Sequence, residues 1–458
     1  MDTFGIKSKH LKFLVLLSLA CFLLWPPDAR PQDITKKADA YMTPLVEKQI
    51  FSGSILIAKG GKILVNKGYG MANYEQDIPN NGKTKFRIGS VTKQFTAVAI
   101  LQLVEKGKVS LKAHISEYLP YFRKDIDPKI TVHDLLVHSS GLPNYTALPG
   151  FYPEHSRDPF KVKDFVIKFC SGDLEFEPGS TWNYSNSGYF ILGAIIEAVT
   201  GQSYADYLKE HIFEPAGMEN SGYDDFNTIL KNRATGYKMG KNGLENSDYI
   251  DLSIPYAAGS LYSTTEDLYT WDRILYTDKI LTKKSKGLMF TPYIAYYGYG
   301  WFVAEKNRHK NYSHSGGING FVCNIARYVD DDAFIAVLAN REKAQEGVIA
   351  GALNAILFGH PYDPPGNPEP VPIDPEILKK YAGKYDVDKM IFPVTVKNNK
   401  LHGQILGYTL PFEAVSETKF FCSFADFMMT FLVDSEGKAT SVILHQGSAD
   451  MTGFRIQE

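Results

Sequence analysis

The 458-residue chain is poor in the groups that would announce a metal or redox centre: it has four cysteines, at positions 21, 170, 323 and 422. None forms a CxxC or a Cys/His cluster, so the spacing supplies no zinc-binding pattern. In a chain of this size the lack of a disulfide pattern excludes little. Excess charge of one sign is also lacking, with a formal net charge of −2. That balance gives no electrostatic footprint for nucleic acid or an anionic membrane surface. There is no internal repeat, and no apolar run is long enough for a comfortable transmembrane helix. A hydrophobic fraction of 44% and a charged fraction of 22% are those of a globular protein with a large core. The length suits two or more domains.

Lys7, Lys9 and Lys12 precede a short apolar run over residues 13–25, which Pro26 and Pro27 end. A basic head, a short apolar segment and a breaker predict a secretory signal over residues 1–29 and an exported, bacterial-type envelope protein. Cleavage near Ala29 is weakly marked, so an uncleaved anchor stays open as the one point of membrane contact. Ser18-Leu19-Ala20-Cys21 makes a poor lipoprotein box, because the apolar run continues past the cysteine.

Periodicity predicts an amphipathic helix over 34–50. A hairpin over 54–65 turns at Gly60-Gly61, and a short strand follows at 85–88. The middle reads as helix and loop, with a helix over 187–199 and another after the cap residues Ser263-Thr264-Thr265. Strands return at 319–329 and 333–340 around Asp330-Asp331-Asp332, followed by a helix over 345–358. Strands at both ends with helices between predict an α+β domain over 30–360, in which an antiparallel sheet is flanked by helices and carries an inserted helical region. Pro364, Pro365, Pro368, Pro370 and Pro372 predict a semi-rigid linker over 361–375, with few contacts crossing it. Short strands at 382–385, 392–396, 401–405 and 441–445 predict a small all-β barrel or sandwich over 376–458.

Ser90-Val91-Thr92-Lys93 opens an apolar-periodic stretch: Val91, Phe95, Val98, Leu101 and Val104. On a helix, positions i and i+3 share a face about 5–6 Å apart, so Lys93 stands beside Ser90. A serine hydroxyl needs a base to become a nucleophile, and a lysine serves if burial depresses its pKa. The four-letter pattern is weak, since roughly two matches are expected by chance in a chain this long. Ser416…Lys419 and Ser435…Lys438 also match, but among alternating, strand-like residues whose i and i+3 side chains diverge. Read alone, Ser90 is equally a helix cap with a solvated Lys93.

Two further stretches carry polar chemistry. In Trp182-Asn183-Tyr184-Ser185-Asn186, an extended segment puts the Tyr184 phenol and the Asn186 carboxamide on one side. A cationic lysine nearby would lower the phenol's pKa, and Asn186 could accept from that lysine while donating to a substrate carbonyl. In Tyr312-Ser313-His314-Ser315-Gly316-Gly317, His314 begins a strand, and Gly316 and Gly317 let a substrate approach the backbone. Each alone reads more readily as a packed cap or a turn.

Their order resembles the serine β-lactamase and penicillin-binding-protein family, in its class C branch of β-lactamases, DD-peptidases, D-aminopeptidases and carboxylesterases. The stretches Leu135-Leu136-Val137-His138-Ser139-Ser140-Gly141-Leu142, Glu177-Pro178-Gly179, Ala257-Ala258-Gly259-Ser260-Leu261-Tyr262-Ser263 and Gly298-Tyr299-Gly300-Trp301 resemble it too, over about residues 35–360. The tail resembles the lipocalin-like domain of some members. The resemblance implies that Ser90 is acylated and that Lys93 and Tyr184 transfer protons. Asn186 positions a small-molecule or short-peptide substrate, and the N–H groups of Ser90 and Gly317 form an oxyanion hole. No metal or cofactor is called for. His314 stands where lactamases of this fold carry a lysine near the substrate carboxylate. A mostly neutral histidine there turns the expectation towards an ester or a small amide. The alternatives are a β-lactamase or DD-carboxypeptidase, or a non-catalytic binder of cell-wall fragments.

Overall fold

The computed structural model describes residues 31–457 apart from 367, 406–407 and 423–426. The predicted signal over 1–29 lies outside the described residues. Six strands form the main sheet: β1 (Gly53–Lys59), β2 (Lys62–Tyr69), β3 (Phe302–Lys306), β4 (His309–Ile318), β5 (Phe321–Tyr328) and β6 (Ala333–Ala339). Their spatial order is β3-β4-β5-β6-β1-β2, antiparallel throughout. Both ends of the domain therefore meet at its centre, where β1 pairs with β6.

Both sheet faces are buried, and period-2 alternation divides their residues. Ile55, Ile57, Ile335, Val337 and Ala339 pack under helix α1 (Pro31–Glu47), while Leu56, Ala58, Phe334, Ala336 and Leu338 face the other way. That second core receives helix α2 (Thr92–Glu105), of which twelve residues from Thr92 to Leu103 are buried, and helix α3 (Asn186–Thr200). Helix α4 (Glu346–Phe358) covers the α1 face. The β1–β2 turn is Gly60-Gly61 with φ of +60° and +70°, a conformation in which glycine is unstrained. Asp332, at φ +46°, turns β5 into β6.

The C-terminal region is an eight-stranded closed barrel: β7 (Gly383–Val387), β8 (Met390–Lys397), β9 (Lys400–Ile405), β10 (Tyr408–Ala414), β11 (Lys419–Cys422), β12 (Phe427–Val433), β13 (Ala439–Gln446) and β14 (Ala449–Arg455). Pairing of β7 with β14 closes it. The sequence pattern marked only half of these strands.

The expectation that few contacts cross the linker fails. Strand β14 pairs with β3 through Glu305 and Asp450, and Lys306 forms an ion pair with Asp450 at 2.6 Å. Tyr297 and Phe302 of the first domain belong to the barrel's apolar cluster. The proline-rich stretch is itself docked, Val371 N–H donating to Ala414 O at 2.8 Å.

Candidate active site

Ser90 sits in the single turn Gly89–Val91 that runs into α2. It caps nothing: the residue before α2 is Val91, and no side chain bonds the helix end. Gly89 has φ +46°, and a Cβ there would lie 2.7 Å from Gly317 N and 2.8 Å from Gly317 O. Only glycine lets the Ser90 turn approach β4 so closely. In the other two Ser-x-x-Lys matches the serine lies in a turn, and Lys419 is already the first residue of β11. Ser416 Oγ accepts from the Lys419 backbone, and Lys419 Nζ pairs with Asp363 at 2.8 Å. The Ser435–Lys438 pair falls in the Asp434–Lys438 turn.

Lys93 is fully buried. Its Nζ lies 3.0 Å from Ser90 Oγ, 2.8 Å from Asn186 Oδ1 and 2.8 Å from Ala258 O. Burial holds its pKa well below the usual lysine value. The set of partners suits a neutral amine. Two of them are carbonyl oxygens that only accept, matching two N–H donors, and the third is a hydroxyl that can donate to the nitrogen lone pair. The rings of Tyr184 and Tyr189 flank Nζ at 4.9 and 5.5 Å.

Tyr184 and Asn186 straddle the start of α3. Ser185 is extended and Asn186 is the first helical residue, so the segment is extended only up to Asn186. Both side chains still face Lys93. Tyr184 does not have the depressed pKa expected from a neighbouring lysine: burial pushes it up, and interaction with Ser90 offsets part of the rise. At neutral pH it is a phenol that donates. Asn186 Nδ2 donates to Asn144 Oδ1 and Thr146 Oγ1, both at 3.3 Å. The sequence reading missed Asn144 and Thr146, which sit some forty positions away with no periodic signal.

His314 lies in the middle of β4 rather than at its start. It is 3% exposed, and burial followed by the charge of Lys93 lowers its pKa to about 3. Tyr297 Oη is 2.9 Å from its Nε2, and its ring centroid is 6.4 Å from that of Tyr184. A second buried histidine, His138, packs on Tyr184 at 4.3 Å and on Tyr297 at 4.8 Å. It has φ +61°, its Nδ1 accepts from Ser185 N–H at 3.2 Å, and burial holds its pKa well below 6.5. The sequence displayed His138 within a family-like stretch but gave no hint of this placement.

Pairing between β3 and β4 stops at Phe302–Ser313, so the β4 edge beyond it faces the Ser90 turn. Gly316 abuts that turn, since a Cβ there would meet Ile88 O at 2.1 Å. A Cβ on Gly317 would meet nothing nearer than Val322 at 3.9 Å, leaving that position open to an incoming group. A hydroxyl beside a buried amine of depressed pKa, next to the exposed backbone of Gly317, is equipped for acyl transfer.

This fold and this cluster define a class: serine acyl-transferases and hydrolases. The chain belongs to the beta-lactamase family, whose model matches residues 36–358. It is 32% identical over 457 residues to penicillin-binding protein 4* of Bacillus subtilis, covering 93% of this chain and all of that protein. Two solved structures are similar. A penicillin-binding protein from Bacillus halodurans has a TM-score of 0.63 and 30% identity, over 69% of this chain and 99% of that one. An octameric penicillin-binding protein homologue from Pyrococcus abyssi has a TM-score of 0.64 and 28% identity, over 91% and 99%. Among the described residues no helix is long and apolar enough to cross a membrane.

Proposed function

We propose that this protein is an exported serine hydrolase that forms an acyl-enzyme on Ser90 and cleaves an ester or a small amide, in the manner of a carboxylesterase or D-aminopeptidase. The observation that carries this reading is the fully buried Lys93 amine, 3.0 Å from Ser90 Oγ, with two carbonyl acceptors occupying its N–H groups. Lys93 takes the Ser90 proton as Oγ bonds to the substrate carbonyl carbon. The developing oxyanion is held by the N–H groups of Ser90 and Gly317, a contribution of about 3 kcal/mol per donor in such sites. Tyr184, kept protonated by burial, gives its proton to the leaving group and regains one from Lys93. Asn186 fixes the lysine and borders the substrate. Water then cleaves the Ser90 ester, returning a proton to Oγ and releasing the acid.

Substrate preference is inferred from His314. A neutral ring whose two nitrogens are taken by Tyr297 and Ser315 offers no fixed charge, which favours substrates without a carboxylate at that point. Export is inferred from the basic and apolar residues 7–25. The names of the relatives favour a second reading, capture of penicillin on the same serine.

The test is labelling of purified protein with a fluorophosphonate, alongside a screen of esters, D-aminoacyl amides and a fluorescent penicillin. Labelling of wild type that disappears in Ser90→Ala, with ester or amide turnover, is the expected result. Labelling that persists in that variant, or maps to Ser416 or Ser435, would sink the assignment. Penicillin capture without turnover of the other substrates would support the second reading.

A further inference from the structure

We propose that the first turn of the C-terminal barrel, Asp388-Lys389, is a positioning device for the active site of the other domain, holding Tyr184 and His314 through two short segments. The inference rests on the reading that these two side chains face the substrate.

The turn joins β7 to β8, and both its residues are left-handed, with φ of +52° and +69°. It reaches the first domain at two places. Lys389 O accepts from Thr181 Oγ1 at 2.8 Å. Asp388 O accepts from Ala295 N–H at 2.9 Å, and Asp388 Oδ2 accepts from Tyr296 N–H at 3.2 Å. Ala295 and Tyr296 are also left-handed, at φ +50° and +58°. They form the two-residue turn between Ile294 and Tyr297, whose geometry takes both residues left-handed, and the barrel supplies acceptors for both of their N–H groups.

Each contact leads to the site in few steps. The residue after Tyr296 is Tyr297, whose hydroxyl bonds His314 at 2.9 Å. Next to Thr181 is Trp182, whose ring lies 6.2 Å from both Tyr184 and Tyr297. Trp182, Tyr296, Tyr297 and Phe302 pack together with the barrel residues Val387, Met390 and Phe392. One two-residue turn thus fixes the chain on both sides of the His138–Tyr184–His314 group, and the site is assembled across the domain seam.

The test uses four single variants of the full chain: Asp388→Ala, Asp388→Asn, Thr181→Val and Thr181→Ser. Asparagine and serine keep the acceptor and the hydroxyl, whereas alanine and valine remove them. The second-order rate of fluorophosphonate labelling should fall about fivefold in Asp388→Ala and in Thr181→Val, as loss of one net hydrogen bond implies. It should stay within about twofold of wild type in the two conservative variants. Hydrolysis of p-nitrophenyl acetate should lose kcat with KM little changed. A crystal structure of Asp388→Ala should show the Tyr297–His314 bond broken, a readout independent of activity. Unchanged labelling in Asp388→Ala and Thr181→Val would overturn the proposal. So would equal loss in the conservative variants, or an intact Tyr297–His314 bond in the alanine variant. Wild type that fails to label at Ser90 would instead overturn the reading of the nucleophile, leaving the crystal structure to decide the positioning role.

Discussion

Lowering the pH from 7 to 5 should destabilise the protein through His314, and the size of the effect follows from its surroundings. An unfolded histidine binds a proton near pH 6.5, whereas burial and Lys93 hold His314 neutral down to about pH 3. Its folded pKa is depressed, so its contribution to stability is complete above about pH 6.5. Between 6.5 and 3 the unfolded state binds the extra proton, and stability falls as pH falls. The slope is about 1.4 kcal/mol per pH unit for one group, or about 2 kcal/mol between pH 7 and pH 5. His138, also held neutral by burial, adds a loss of the same sign. His133 and His211 lie lower than usual as well, so the whole-protein slope does not isolate His314. The comparison that does is His314→Gln, which keeps a polar partner for Tyr297 and cannot titrate. Denaturant unfolding of wild type and variant at pH 7 and pH 5 should show a loss smaller by about 2 kcal/mol in the variant. Equal losses would refute the placement of a neutral, buried imidazole at this position.

Three other outcomes are expected. Lys93→Arg replaces an amine that can be neutral with a group that cannot, so the labelling rate of Ser90 should fall at least about 100-fold in a folded protein. In wild type that rate should rise with pH through the depressed pKa of Lys93. Gly316→Ala puts a Cβ 2.1 Å from Ile88 O, forcing β4 off the Ser90 turn. A displacement of about 1 Å should lower kcat/KM for p-nitrophenyl acetate about 100-fold. Truncation after His360 uncovers Tyr297 and Phe302 and removes the acceptors for Ala295 and Tyr296, so the shortened chain should aggregate or melt lower by calorimetry.

What the sequence made legible is what lies close along the chain. The Ser90–Lys93 pair is one helical turn, the Gly60-Gly61 hairpin is a turn signal, and the strands at both ends of the first domain declare an antiparallel sheet by composition. The rest of the site is tertiary. Asn144 meets Asn186 across 42 positions, and His314 meets Tyr297 across 17. Such meetings leave no local period. The depressed phenol expected for Tyr184 failed because charge proximity was weighed without burial, and burial is the larger cause. The linker misled in a similar way: proline content sets stiffness, but the apolar faces of Tyr297 and Phe302 decide whether the domains touch.

His314→Lys is the change that asks why a histidine occupies this place. A lysine there would find the Tyr297 hydroxyl and the Ser315 carbonyl as partners, since both already bond the imidazole. Its ammonium would be nearly buried and close to Lys93, whose charge already depresses His314. Two cations in one buried site lower each other's pKa, so the rise of acylation with pH should move to lower pH in the variant. A charged lysine facing a substrate carboxylate contributes about 1–3 kcal/mol, while a neutral ester gains nothing comparable. The ratio of kcat/KM for a carboxylate-bearing β-lactam to that for p-nitrophenyl acetate should therefore rise about tenfold, equivalent to about 1.4 kcal/mol. If His314 does not face the substrate, the ratio stays constant even though the pH profile moves. If it does not sense Lys93 either, both stay constant. The pair of measurements thus separates a residue that reads the substrate from one that tunes the lysine.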